Sequence, residues 1–281
     1  FFHRREMALF LGQEAFQRKL DLGPVEPGLI DGERPDRAHF DDQRHIEIGD
    51  AGRIGVVAGI APFNFPNMVP HWSIPNAIAL GNCFILKPSE LVPLSASRIA
   101  ELLTESGLPA GVFQVVNGGR DVVEAICDHP DISAISFVGS TRVAKAVYRR
   151  ATNNLKRCLA LGGAKNHLIV MPDADKEMAA SNIVASMSGC AGQRCMAASV
   201  MVAVSATDHV IARAAEIARA MVPGKDIGPV ISAEAKARII GYINEAEAQG
   251  AQVIVDGRNV TVTGRENGYF IGPTIIYAHM Q

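Results

Sequence analysis

From Ile54 onward the chain alternates short apolar runs with amphipathic helical stretches, and that alternation leaves few folds open to it. The runs are IGVVAGI (54–60), CFILK (83–87), FQVVN (113–117), AISFV (134–138), HLIVM (167–171) and AQVIVDG (251–257), most of them bounded by Gly, Pro, Asn or Asp. Their length and boundaries are those of buried strands. Between them, SASRIAELLTESG (95–107) sets Ile99, Leu102 and Leu103 on one face and stops at Gly107, ahead of Pro109. Stretches 176–189, 208–222 and 233–250 have similar periodicity and also read as helices. Strands that alternate with helices imply parallel βαβ units, so the fold class is α/β.

At 281 residues the chain is long enough for two packed domains. With 27 basic and 29 acidic side chains it has no electrostatic footprint for nucleic acid or an anionic membrane. No apolar run approaches the length of a membrane span. The opening FFHRREMALFLGQEAF has an apolar patch, but Glu6 and Glu14 interrupt it and no small-residue cleavage site follows; it reads as a helix rather than a signal peptide. Residues 17–53 are polar and turn-rich, an extended loop or a poorly ordered lead-in. The five cysteines, Cys83, Cys127, Cys158, Cys190 and Cys195, are odd in number and lack a CxxC. That argues against a disulfide framework and for a reducing compartment. No His or Cys stands at ligand spacing near Cys190 or Cys195, so a metal site is not expected.

Chemistry is concentrated in a few segments. In APFNFPNMVP (61–70) a strand ends in a Pro-flanked loop that carries Asn64. A rigidly held amide there could stabilise an oxyanion, or could be a turn Asn bonding its own loop. LKPSE (86–90) puts Lys87 at a strand end and Glu90 just beyond, where an open α/β sheet meets its ligands; a solvated strand end is the alternative. A carboxylate on the ribose would repel a 2′-phosphate, which favours NAD over NADP. ISFVGSTRVAKAV (135–147) is a strand, then Gly139 and Ser140, then a helix whose first N–H groups could hold a phosphate, although GxGxxG is absent. His167, at the head of an apolar run, reads as a structural histidine. GCAGQRCMAASV (189–200) follows a helix; Cys190, among small residues, reads as core, while Cys195 follows Arg194, which would favour its thiolate. A lone Cys is more often inert.

Taken in order, APFNFP, LKPSE, FVGST, GAKNH and GQRCM resemble the motif series of the aldehyde dehydrogenase superfamily. GAKNH with GQRCM resembles its CoA-acylating branch, the methylmalonate-semialdehyde dehydrogenases, and ENGYFIGPTII (266–276) fits as well. The resemblance implies an N-terminal region 1–53 of helix and loop that matches poorly. It further implies a parallel-sheet NAD-binding domain over 54–162 and an incomplete α/β catalytic domain over 163–281, because the chain stops before an EIFGPV-type segment. It makes Cys195 the nucleophile and Asn64 an oxyanion donor. Lys87, Glu90, Gly139, Ser140 and Phe63 fall at cofactor positions, and Arg194 at a position that meets a substrate carboxylate. Hydrolytic relatives carry a water-activating Glu where this chain has Leu161, so coenzyme A is the expected acyl acceptor. The implied reaction is NAD-dependent conversion of methylmalonate or malonate semialdehyde to propanoyl-CoA or acetyl-CoA, a reaction of valine catabolism. Its implied setting is bacterial cytoplasm or a mitochondrial matrix, with homo-oligomeric full-length relatives. Two other readings stay open: a non-catalytic nucleotide-binding remnant, and a hydrolytic dehydrogenase for another aldehyde.

Overall fold

The structure, a computed structural model, describes residues 5–10 and 54–278. The first strand, β1 (Arg5–Phe10), belongs to a sheet whose other strands lie far along the chain. Between Val56 and Leu161 the chain builds a separate five-stranded sheet from β2 (Val56–Ile60), β3 (Cys83–Lys87), β4 (Phe113–Val115), β5 (Ile132–Val138) and β6 (Arg157–Leu161). Four helices connect them in turn: α1 (Ile74–Ala79), α2 (Leu94–Glu105), α3 (Arg120–Asp128) and α4 (Thr141–Asn153). All pairings are parallel, in the order β4-β3-β2-β5-β6. Both faces of this sheet are covered, as parallel strands require. Ala58, Ile60, Ile135 and Phe137 pack with Ile126, Ala144 and Val147 in one buried cluster, while Phe84 and Leu86 pack with Ile74, Ala96 and Ile99 in another.

The second sheet contains β7 (Asn166–Val170), β8 (Ala198–Ala203), β9 (Gln252–Val255) and β10 (Thr274–Ala278), in the order β7-β8-β1-β10-β9. β7 and β8 are parallel; β1 runs antiparallel to both β8 and β10. Helices α5 (Lys176–Ser188) and α6 (Asp208–Ala220) pack with Val170 and Met201, and α7 (Ala233–Ala248) packs with Ile271 and Ile276. The α/β class is therefore observed. The expected N-terminal helix is not: residues 5–10 are extended. A short apolar run is compatible with either element, and here the facing edges of β8 and β10 supply partners for the backbone on both sides. The reading of 17–53 as a loop lies outside the described residues. Among those described, no helix is long and apolar enough to cross a membrane.

Candidate active site at the carboxyl rim

Register places the sequence-predicted residues on one rim. Ile60, the last residue of β2, pairs with Lys87 of β3 and Phe137 of β5. The chain therefore leaves these three strands side by side, into the loops carrying Phe63 and Asn64, Glu90, and Gly139 and Ser140. The strand order reverses about β2, and such a reversal opens the crevice in which open α/β sheets bind ligands.

Asn64 is half-buried, and its Nδ2 donates to the main-chain carbonyl of Gln193 at 2.8 Å, across 129 residues of sequence. It is not a turn residue closed on its own loop. This bond joins the rim of the first sheet to the segment that leads into Cys195. That segment begins where α5 ends at Ser188. Cys190 (φ 54°) and Ala191 (φ 51°) then take left-handed backbone conformations, with Gly192 (φ 75°) after them. The reversal buries Ala191 and leaves Cys190 exposed, which corrects the expectation that Cys190 is core. Small neighbours in sequence suggest burial only while the helix continues, and this one has ended.

Cys195 itself is half-buried. Its carbonyl accepts from Nδ2 of Asn166 at 2.7 Å, and the same amide reaches the Ala197 carbonyl at 3.1 Å. Arg194 turns back toward α5: Nη2 donates to the Ser186 carbonyl at 3.0 Å, and Nε is buried without a partner. The guanidinium lies so close to Gly189 that a Cβ there would come within 2.8 Å of Nη1. Adjacency in sequence thus does not translate into a cation aimed at the Cys195 thiol. Asn166 and Gln193 were both missed as functional candidates. Each stands inside a quoted motif, GAKNH and GQRCM, and a polar residue next to the reacting group was the available signal.

On the other side of the rim, the buried Lys87 amine donates to Glu90 Oε2 at 2.9 Å. A backbone N–H and then Lys87 hold the Glu90 carboxyl below its ordinary range. Ser140 caps α4, its Oγ accepting from Val143 N at 3.4 Å. Gly139 leaves room for the Phe137 ring, which a Cβ would approach to 2.6 Å, and its N–H donates to the Leu161 carbonyl at 3.1 Å. Leu161 is exposed at the end of β6, next to the start of α4. Burial lowers the Lys165 ammonium to about 8. His167 is exposed, with Nδ1 3.0 Å from the Lys165 carbonyl oxygen.

An amide at the carboxyl rim of parallel strands, bonded to the segment that leads into a half-buried cysteine, defines a class that comparison with known proteins makes specific. The model of the aldehyde dehydrogenase family matches residues 38–280, and the chain belongs to that family. It is 52% identical over 229 residues to malonate-semialdehyde dehydrogenase 2 of Geobacillus thermodenitrificans, covering 79% of this chain and 47% of that one. It also resembles the crystal structure of methylmalonate-semialdehyde dehydrogenase from Oceanimonas doudoroffii, with TM-score 0.77 and 51% identity over 79% of this chain and 47% of that one. The C291A mutant of aldehyde dehydrogenase C from Pseudomonas syringae, solved in complex with NAD+ and octanal, superposes with TM-score 0.73 at 35% identity, over 79% of this chain and 47% of that one. The chain spans about half the length of the curated relatives it matches.

Proposed function

We propose that the protein takes part in NAD-dependent, CoA-acylating oxidation of malonate or methylmalonate semialdehyde through a thioester on Cys195. The observation that carries this reading is the Asn64–Gln193 hydrogen bond, which sets an amide from the first sheet's rim beside the cysteine-bearing segment of the second. One N–H of Asn64 Nδ2 is committed to Gln193, and the geminal N–H serves the oxyanion with the main-chain N–H of Cys195. The Cys195 sulfur adds to the aldehyde carbon and the carbonyl oxygen becomes the alkoxide so held. Asn166 fixes the Cys195 carbonyl, which limits how far the thiol can drift from that donor pair.

The rim residues fit a dinucleotide. Lys87 and Glu90 are paired side by side at a strand end, where both can hydrogen-bond ribose hydroxyls, and the first turn of α4 beyond Gly139 and Ser140 offers N–H groups to a pyrophosphate. Phe63, half-buried and next to Asn64 in sequence, is assigned to the same cofactor site. NAD bound there supplies the acceptor for the hydride whose loss leaves a thioester. Arg194, whose buried Nε lacks a partner, is assigned to the substrate carboxylate. Leu161 has no group to take a proton from water, so the thioester passes to a thiol such as coenzyme A. For a 3-oxoacid the carboxylate is lost as CO2 or bicarbonate, giving acetyl-CoA or propanoyl-CoA. Five unpaired cysteines suit a reducing compartment, bacterial cytoplasm or mitochondrial matrix.

NADH formation tests the reading. The expected course is a burst without coenzyme A and continuous production once it is added. Steady NADH with free acid as product, in the absence of any thiol, contradicts it. Calorimetry is expected to show tighter binding of NAD than NADP, because the Glu90 carboxylate faces the 2′ position; equal or tighter NADP binding removes Glu90 from the ribose.

A further inference from the structure

Gln193 is only 6% exposed, yet each of its polar groups is engaged. Its main-chain N–H and its Nε2 both donate to the Cys190 carbonyl, at 3.0 and 3.1 Å. Nε2 also lies 3.5 Å from the Pro229 carbonyl, and Oε1 accepts from Ile231 N at 2.9 Å. Its own carbonyl is the acceptor for Asn64. The side chain therefore ties the left-handed turn at Cys190 and Ala191 to the 229–231 segment that leads into α7. Ala191 enters the same buried cluster as Val230 and Ile239, so apolar contact and hydrogen bonds hold one junction. A carbonyl at the end of a left-handed turn has no helix or sheet ladder to fix its direction. Here a buried, fully bonded amide side chain on the same residue does so.

We propose that Gln193 is a positioning residue for the Cys195 reaction, its side chain fixing the carbonyl that orients the Asn64 amide. The proposal rests on the assignment of Cys195 as nucleophile and Asn64 as oxyanion donor, and it adds a residue whose side chain acts on the reaction by holding the carbonyl to which Asn64 donates. This distinguishes it from a stability role. Addition of the thiol to an aldehyde develops an oxyanion, whereas alkylation by iodoacetamide does not. A residue that acts through Asn64 changes the first reaction and largely spares the second.

The experiment follows iodoacetamide labelling of Cys195 in the whole chain, by peptide mapping, with propanal as a reversible competitor. Propanal is expected to protect Cys195 in the unmodified chain. Gln193→Met is expected to raise the half-protecting propanal concentration about 10-fold while changing alkylation without aldehyde less than about threefold. Asn64→Ala shows the same split, and the double variant is no worse than Asn64→Ala alone, because the two residues act in series. Gln193→Glu keeps the acceptor for Ile231 N but loses both donations by Nε2. It is expected to move protection in the same direction, and it carries the test if Gln193→Met shows no cooperative thermal transition. Unchanged protection in a folded Gln193 variant, or additive losses in the double variant, overturns the role of Gln193 and leaves the nucleophile standing. Absence of protection in the unmodified chain overturns the nucleophile assignment and this role with it.

Discussion

The first sheet takes its five strands from one continuous stretch, 56–161, with a single helix between each strand and the next. The second draws four strands from 166–278 and its middle strand, β1, from Arg5–Phe10. In the first, three of the four crossovers join strands that pair with each other, β2 to β3, β3 to β4 and β5 to β6, and only the step from β4 to β5 crosses the sheet, so local periodicity places most of it. In the second, β1 pairs with strands roughly 190 and 270 residues further on, and local pattern carries no trace of those partners. The candidate site lies at their junction, taking Asn64 from the orderly half and Gln193 and Cys195 from the other.

The largest expected effect comes from restoring across this junction the group that Leu161 lacks. Leu161→Glu, at an exposed strand end, is expected to speed hydrolysis of the Cys195 thioester by about 10²–10⁴-fold and turn the NADH burst into steady production without a thiol. Single-turnover release of free acid measures it; an unchanged rate would place Leu161 away from the thioester.

The next effect contrasts a glycine within β2 of the first sheet with one just beyond β9 of the second. A Cβ on Gly257 would collide with the Gly272 carbonyl, and both backbones are fixed by Gly272 N to Gly257 O at 2.9 Å and Gly257 N to Thr274 Oγ1 at 3.1 Å. A Cβ on Gly59 of β2 would come within 2.5 Å of the Phe84 ring, a side chain that can tilt. Gly257→Ala is expected to cost about 3 kcal/mol or more in urea unfolding, and Gly59→Ala about 1–3 kcal/mol. The reverse order would show the first sheet to be the less forgiving one.

The same contrast governs how much was legible in sequence. All six strands expected from apolar runs exist, as do the four helices expected from periodicity, within a few residues. β6, with its exposed Arg157, Leu159 and Leu161, and β8 and β10 in the second half are strands that the apolar runs do not mark, and β1 is extended where a helix is expected. Lys87, Glu90, Gly139 and Ser140 reach a common rim because parallel register aligns strand ends. Cys190 is exposed where burial is expected because a left-handed turn after α5 reverses which neighbour is buried, and the turn of the Arg194 guanidinium toward Ser186 and Gly189 is equally invisible in its place beside Cys195. Gln193 and Asn166 make side-chain bonds to the Cys190 and Cys195 carbonyls that spacing cannot reveal.

A smaller effect is read in pH. Burial lowers the Lys165 ammonium from 10.5 to about 8, so between those values the unfolded chain holds a proton that the native chain has lost. Stability from this group is therefore lowest below about pH 8 and rises with pH through the window, by at most about 1.4 kcal/mol per unit. Cys127, pushed up to about 11 by burial, works in the opposite sense above pH 9, which makes the difference between variants the useful quantity. Lys165→Met is expected to stabilise the chain more at pH 7.5 than at pH 9.5 in urea titrations; parallel pH profiles would contradict the burial of its charge.

Acyl mapping tests the central claim most directly. Arg194 gives trypsin a cleavage site between Cys190 and Cys195, so the two thiols fall on separate peptides. The whole chain is incubated with NAD and propanal without a thiol, quenched in acid, digested and weighed. The account predicts a propanoyl group on the peptide that begins with Cys195, absent when hydroxylamine is applied before digestion (before the freed α-amine of Cys195 can capture the acyl group) and absent when coenzyme A is added before the quench. A propanoyl group on the Cys190 peptide, or NADH accumulating with neither peptide acylated, would contradict it.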